Sequence, residues 1–289
     1  MLLSDCLNNF IKYQRLKGNS TSTINMYKIV INKFIDFKGN VDINLLSADD
    51  FNDYNLFLRD RVKMVSVRTY IRHLKVFLNY LVEEYHIFDF SKKVVMPSKP
   101  KNVIEILSSS EIDMLLSCED TTTFLGLRNY CMLLLMLDCG LRASEVIYLL
   151  PDCIQFDFKG IKVIGKGSKE RIVPMGDTVS LALLEYKNKY GYRINYYFFV
   201  GNYYDFITRD IFRDLFQRYR KITGISRLYP HLLRHTFATN FLLNGLGDIF
   251  ELSMILGHSD VTTTQIYLHI ANYYKFMQNK KNFSYLDSR

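Results

Sequence analysis

The chain has 289 residues, of which 23% are charged and 48% hydrophobic, a balance that excludes a disordered chain and suits two domains of ordinary size. Its longest apolar stretch, YCMLLLML at 130–137, is too short to span a bilayer and reads as a buried helix. A net charge of +8 and a pI of about 9.1 favour a polyanionic partner, because Lys and Arg gain affinity for phosphate by releasing counterions. Five cysteines, Cys6, Cys118, Cys131, Cys139 and Cys153, form no CxxC pair and leave one over, so reduced thiols are expected. MLLSDCLNNF lacks a basic leader region and a cleavage site, and a cytoplasmic location is expected.

In chain order, residues 1–92 read as helical. STSTINMYKIVINKFIDFKG offers Thr21 and Ser22 as caps and places Ile24, Tyr27, Ile31 and Phe34 on one side. SADD at 47–50 forms a capping-box pattern that opens another helix. Further on, Val67, Ile71, Leu74, Leu78 and Leu81 draw one apolar stripe, and Arg68, Arg72 and Lys75 line an adjoining face. That basic face is either solvated or a nucleic-acid contact. SKKVVMPSKPKNVIEIL has two prolines and no helical period, which marks a linker near 92–104.

Beyond the linker, SSSEIDMLLSCED, FLGLRNYCMLLLMLDCG and LRASEVIYLL read as helices, the second apolar enough to be a domain core. The period then shortens: CIQFDF, GIKVIGKG and RIVPMG are β-branched and punctuated by glycine, predicting a small antiparallel sheet. Helices return from 177 onward. The expected class is mainly α (α+β), with a mixed, mostly helical second domain.

PHLLRHTFATNFLLNG opens with Pro230, suited to a first helical turn, and puts Leu233, Phe237 and Phe241 in one row. His231, Arg234 and His235 therefore share another face. The histidine pair lacks the Glu of a zinc protease signature, since Leu232 follows His231, and no third ligand is suitably spaced, so no metal is expected. GKGSKER places Lys166 and Lys169 in a turn between strands. It lacks the phosphate-loop pattern of nucleotide-binding proteins. GLRASEV sets Arg142 after a helix-closing glycine, either as a surface salt bridge with Glu145 or as a phosphate ligand.

Arg142, Lys166, His231, Arg234, His258 and Tyr267 are together a suitable set for attack on a phosphodiester. Two guanidiniums clamp non-bridging oxygens and stabilise a pentavalent transition state. A phenol of pKa about 10 becomes a nucleophile when such charges or a base assist it. Histidine suits the base, and lysine can protonate a departing sugar oxygen.

In order and local context these residues resemble the tyrosine recombinase (phage integrase) family. GLRASEV, GKGSKERIVPMG, HLLRHTFAT and LGHSDVTTTQIY are similar to its four catalytic boxes, and LNNFIKYQRLKGNSTSTINMYKIVINKF is similar to its helical core-binding domain. The resemblance spans nearly the whole chain. It implies a SAM-like DNA-binding domain over 1–92, a linker over 93–104 and a catalytic domain with a C-terminal tail over 105–289, in a Xer-type layout. It also implies a 3'-phosphotyrosyl intermediate formed by Tyr267, with no ATP, metal or other cofactor. Arg142 and Arg234 would bind phosphate, Lys166 would be the general acid, His231 would manage the tyrosine's proton and His258 would support the transition state. Glu145 would lie behind the arginine, and His235 would be structural.

The implied partner is double-stranded DNA with short core sites, contacted by Arg68, Arg72, Lys75 and Lys169. A homotetramer on two sites, a nucleoid-associated location, an accessory protein and a tail docked on a neighbouring subunit are further expectations. Cys139 departs from the family's usual threonine and Phe250 from a usually polar position. VTTT before Tyr267 is a poor helix former, so the nucleophile is expected on a marginally stable segment. The other readings are a type IB topoisomerase-like relaxing enzyme and a non-cleaving DNA-binding accessory protein.

Overall fold

The computed structural model describes residues 1–99, 105–165, 170–203, 206–258 and 260–278, with residues 276–278 described by their backbone alone. The chain divides into two compact units, Met1–Val103 and Ile104–Arg289.

The first unit contains α1 (Leu3–Leu16), α2 (Thr21–Lys38), α3 (Ala48–Arg59) and α4 (Met64–Tyr85). Helix α2 buries Ile24, Tyr27, Ile31 and Phe34, as its period requires. Its cap is Ser20 rather than Thr21 or Ser22: Ser20 keeps an extended backbone, and its Oγ accepts the Thr23 N–H at 3.3 Å. At the start of α3 the Asp50 carboxylate accepts the Ser47 N–H at 2.8 Å, closing the capping box. The α4 stripe of Val67, Ile71, Leu74, Leu78 and Leu81 is fully buried and meets Phe10 and Phe34 in the unit's core. On the adjoining face, Arg68 donates to the Pro97 carbonyl and Lys75 to the Val94 carbonyl at 3.3 Å, whereas Arg72 is exposed. Two of the three basic side chains thus fasten the segment 94–97 to α4.

The second unit begins with α5 (Ser109–Leu116), α6 (Phe124–Leu137) and the short α7 (Ala143–Ile147). Apolar on nearly every side, α6 is its central helix. Strands β1 (Ile154–Gln155), β2 (Gly160–Ile164) and β3 (Glu170–Pro174) form an antiparallel sheet in the order β1-β2-β3, with Ile161 opposite Val173 and Val163 opposite Arg171. Then come α8 (Asp177–Tyr190), α9 (Arg209–Thr223), α10 (Pro230–Leu243), α11 (Ile249–Leu256) and α12 (Gln265–Gln278). Phe237, Ala238 and Leu242 of α10, Leu252 and Leu256 of α11, and Tyr267 and Ala271 of α12 make a satellite core. The part of the expected docking tail that is described, up to Gln278, therefore starts packed within its own chain, through Ala271 at 1% exposure; residues 279–289 lie outside the described residues. Among the described residues no helix is long and apolar enough to cross a membrane.

Candidate active site

Helix ends place the charged groups. Gly140, at φ +62°, turns the chain after α6 and leads into Arg142, the residue before α7. Gly257, at φ +63°, ends α11, and the next N–H, that of His258, returns to the Ser253 carbonyl at 3.1 Å. The His258 ring is thereby presented beside α10, which carries His231, Arg234 and His235.

Arg234 is buried to 3% exposure. It donates to the Gly140 carbonyl at 2.7 Å and the Leu256 carbonyl at 2.6 Å, fastening both turns. Its Nη2 also lies 3.3 Å from His258 Nε2. Because a guanidinium only donates, Nε2 accepts, so the ring proton sits on Nδ1, which donates to Thr264 Oγ1 at 2.8 Å. Burial and the charge of Arg234 push the His258 pKa down to about 4, so the ring is neutral at pH 7.

Glu145 lies under the cluster. Its carboxylate accepts the Arg142 backbone N–H at 2.8 Å and Arg142 Nη1 at 2.8 Å. Arg171, on β3, grips the same carboxylate with both terminal nitrogens at 3.0 and 2.8 Å, and Arg234 Nη1 is 4.0 Å away. Burial opposes the Glu145 charge, but the bonds from Arg171 and the Arg142 backbone outweigh it and hold the pKa below the usual carboxylate value. Three guanidiniums around one carboxylate leave a positive surplus, and Arg142, with a side chain 31% exposed, faces an open cleft that His258 also lines.

Tyr267 is 4% exposed on α12, with its hydroxyl 2.9 Å from His235 Nδ1 and hydrogen bonded to it. Burial raises its pKa despite the opposing charges of Arg234 and Arg142, so the resting phenol is protonated. His235, expected to be structural, is thus the ring that touches this hydroxyl. Burial, His231 and Arg234 push the His235 pKa down to about 4. His231 is more exposed, with its ring centroid 6.1 Å from that of His235; desolvation and the nearby arginines lower its pKa.

The structure therefore gathers Arg142, Glu145, Arg234, His258, His231, His235 and Tyr267. Lys166 and Lys169 lie outside the described residues. Arg68, Arg72 and Lys75 belong to the first unit. The sequence reading missed Arg171. Its signal is register: on β3 it shares a face with the fully buried Val173 two residues on, so an arginine stands at a core-facing position and needs a buried partner. Cys139, a departure from the family pattern, is buried at 1% exposure, whereas Phe250 is exposed.

The phage integrase family model matches residues 105–273, and the phage integrase N-terminal SAM-like domain model matches residues 6–87. The chain belongs to the phage integrase family. Its class is that of the tyrosine recombinases, which are site-specific DNA strand-transferases. It is 32% identical over 282 residues to a tyrosine recombinase XerD of Listeria monocytogenes serotype 4b, covering 93% of this chain and 95% of that protein. The crystal structure of XerA recombinase is similar with a TM-score of 0.53 and 27% identity, over 95% of this chain and 98% of that one. A lambda integrase dimer bound to a COC' core site shares the fold, with a TM-score of 0.77 at 17% identity over 92% of this chain and 95% of that one.

Proposed function

We propose that this chain cuts and rejoins duplex DNA at short core sites through Tyr267, acting as a homotetramer on two sites. The observation that carries the reading is the positive surplus of Arg142, Arg171 and Arg234 over Glu145, gathered beside neutral His258 and the helix that bears Tyr267. Arg142 and Arg234 take the non-bridging oxygens, and neutral His258, held beside Arg234, supports the transition state. Tyr267 Oη attacks phosphorus and the bond to the 5' oxygen breaks. The DNA is left joined to Tyr267 through its 3' phosphate, and Lys166 gives a proton to the departing 5' oxygen. The phenol's proton passes to the histidine pair, to His235 by its direct hydrogen bond with His231 beside it, and returns to Tyr267 when the link is resolved. A 5'-hydroxyl from a second duplex then attacks phosphorus and expels Tyr267. One phosphoester is exchanged for another, so the cycle needs no ATP.

Arg68, Arg72, Lys75 and Lys169 contact the DNA backbone in this reading, the first domain spans 1–92 and the linker 93–104. The C-terminal tail, from about 271, docks on a neighbouring subunit beyond its Ala271 anchor, and the enzyme is nucleoid-associated, with or without an accessory protein. Support comes from the basic charge of the chain and from the lambda integrase dimer, which is bound to a core site. The test is a nicked duplex mixed with a second, labelled duplex. Transfer of the label into a joined product is expected; relaxation of a supercoiled circle with no joining between duplexes would point to a topoisomerase instead.

A further inference from the structure

Arg171 contributes only charge to that chemistry, yet each of its three guanidinium nitrogens has a protein partner. Its side chain is 11% exposed. Nη1 and Nη2 take the two oxygens of Glu145, and Nε donates to the Ile255 carbonyl near the end of α11 at 2.7 Å. A Cβ built on Gly257 would lie 3.0 Å from Arg171 Cδ, so this side chain also fills the space beneath the turn that carries His258. Three of its five N–H groups are spent on protein atoms, so although Arg171 also borders the cleft, it has fewer donors to offer a phosphate there than Arg142 has.

Its effect falls on Arg142. A carboxylate and a guanidinium left alone close into a bidentate pair, which occupies two N–H groups on the same edge. Here Arg171 holds that bidentate position on Glu145, and Arg142 makes a single side-chain contact to it, Nη1 to Oε1 at 2.8 Å. Among the described residues the Arg142 side chain has no other hydrogen bond, and it opens on the cleft.

We infer that Arg171 is a positioning residue: by occupying and neutralising Glu145 it keeps the remaining donors of Arg142 free for the scissile phosphate, while anchoring the turn before His258. The inference rests on the functional reading above.

The test compares wild type, Arg171→Gln, Arg171→Lys and the double variant Arg171→Gln/Glu145→Gln on a nicked duplex carrying a core site that the wild-type chain captures. Duplex affinity and the single-turnover rate of covalent complex formation are measured separately. Arg171→Gln is expected to lower the rate ~100-fold and leave affinity within ~3-fold. Arg171→Lys keeps the charge without the fork and is expected to lose ~10-fold, with the same affinity. Removing the Glu145 charge as well should recover ~10-fold of the Arg171→Gln loss, because Arg142 no longer has a carboxylate to close upon. A double variant as slow as Arg171→Gln, or rate and affinity falling together, would overturn the inference and leave Arg171 a structural staple. A wild-type chain that forms no covalent link contradicts the functional reading itself, and the inference with it.

Discussion

Arg234 is a full charge held at 3% exposure by two backbone carbonyls, and that arrangement ties the geometry of the site to the stability of the fold. Lysine cannot span the Gly140 and Leu256 carbonyls and His258 with one ammonium. Arg234→Lys should therefore lower stability by about 1–3 kcal/mol, read by denaturant unfolding, and slow covalent complex formation by ~100-fold or more. An unchanged unfolding midpoint would contradict this. The histidines set a pH window. His235 and His258 have folded pKa values of about 4 against an ordinary 6.5, so the unfolded chain binds protons that the folded chain refuses. The stability they contribute is complete above pH 6.5 and is lost as pH falls through about 4; Glu145, held below its ordinary 4.5, adds to the loss at the acid end. Thermal unfolding midpoints should fall across this window, and less steeply in His235→Gln. Parallel pH profiles for the two proteins would rule His235 out as a source of the slope. The sequence singled out Arg142, Arg234, His258 and Tyr267 because their residue types and order suit attack on a phosphodiester, and Glu145 as a salt-bridge partner for Arg142. It did not disclose that His235 rather than His231 touches the Tyr267 hydroxyl, since that depends on how α12 packs against α10.

Periodicity made the elements legible where one face is buried. The α4 stripe, the α6 core and the three-stranded sheet follow from spacing and glycine punctuation alone. The caps were less so, because Ser20, Thr21 and Ser22 are chemically similar and only the backbone path decides which one precedes the helix. Turns matter most next to the site. At Gly140 a Cβ would lie 2.3 Å from Phe237 Cδ1 and the residue would be held at φ +62°. Gly140→Ala should then cost about 2 kcal/mol or more and disturb the carbonyl that Arg234 holds, seen as a lower unfolding midpoint. A midpoint equal to wild type would mean that α6 and α10 separate without cost. The segment carrying Tyr267 passes from a 3-10 turn at Val261–Thr263 into α12, and three threonines at 262–264 weaken it. Amides of 260–268 should exchange faster than those of α6, as measured by hydrogen exchange; equal protection would remove the basis for a mobile nucleophile.

At the level of the whole molecule, each unit has a hydrophobic core, and the two cores share no residue. Phe77→Ala, which empties the first core at a fully buried ring, should lower that unit's stability by about 3–5 kcal/mol and leave unfolding of the second unit in place, giving two calorimetric transitions. A single cooperative transition shifted as a whole would show the units to be energetically coupled. The central claim is that Tyr267 becomes covalently joined to DNA through the charge cluster around Arg142 and Arg234. The most direct measurement is trapping on nicked genomic fragments, comparing wild type with Tyr267→Phe, followed by sequencing of the captured ends. Capture at a discrete sequence, absent in Tyr267→Phe while duplex affinity is kept, is the expected result. A covalent complex that survives in Tyr267→Phe, or tight DNA binding by the wild-type chain with no covalent complex, would contradict it.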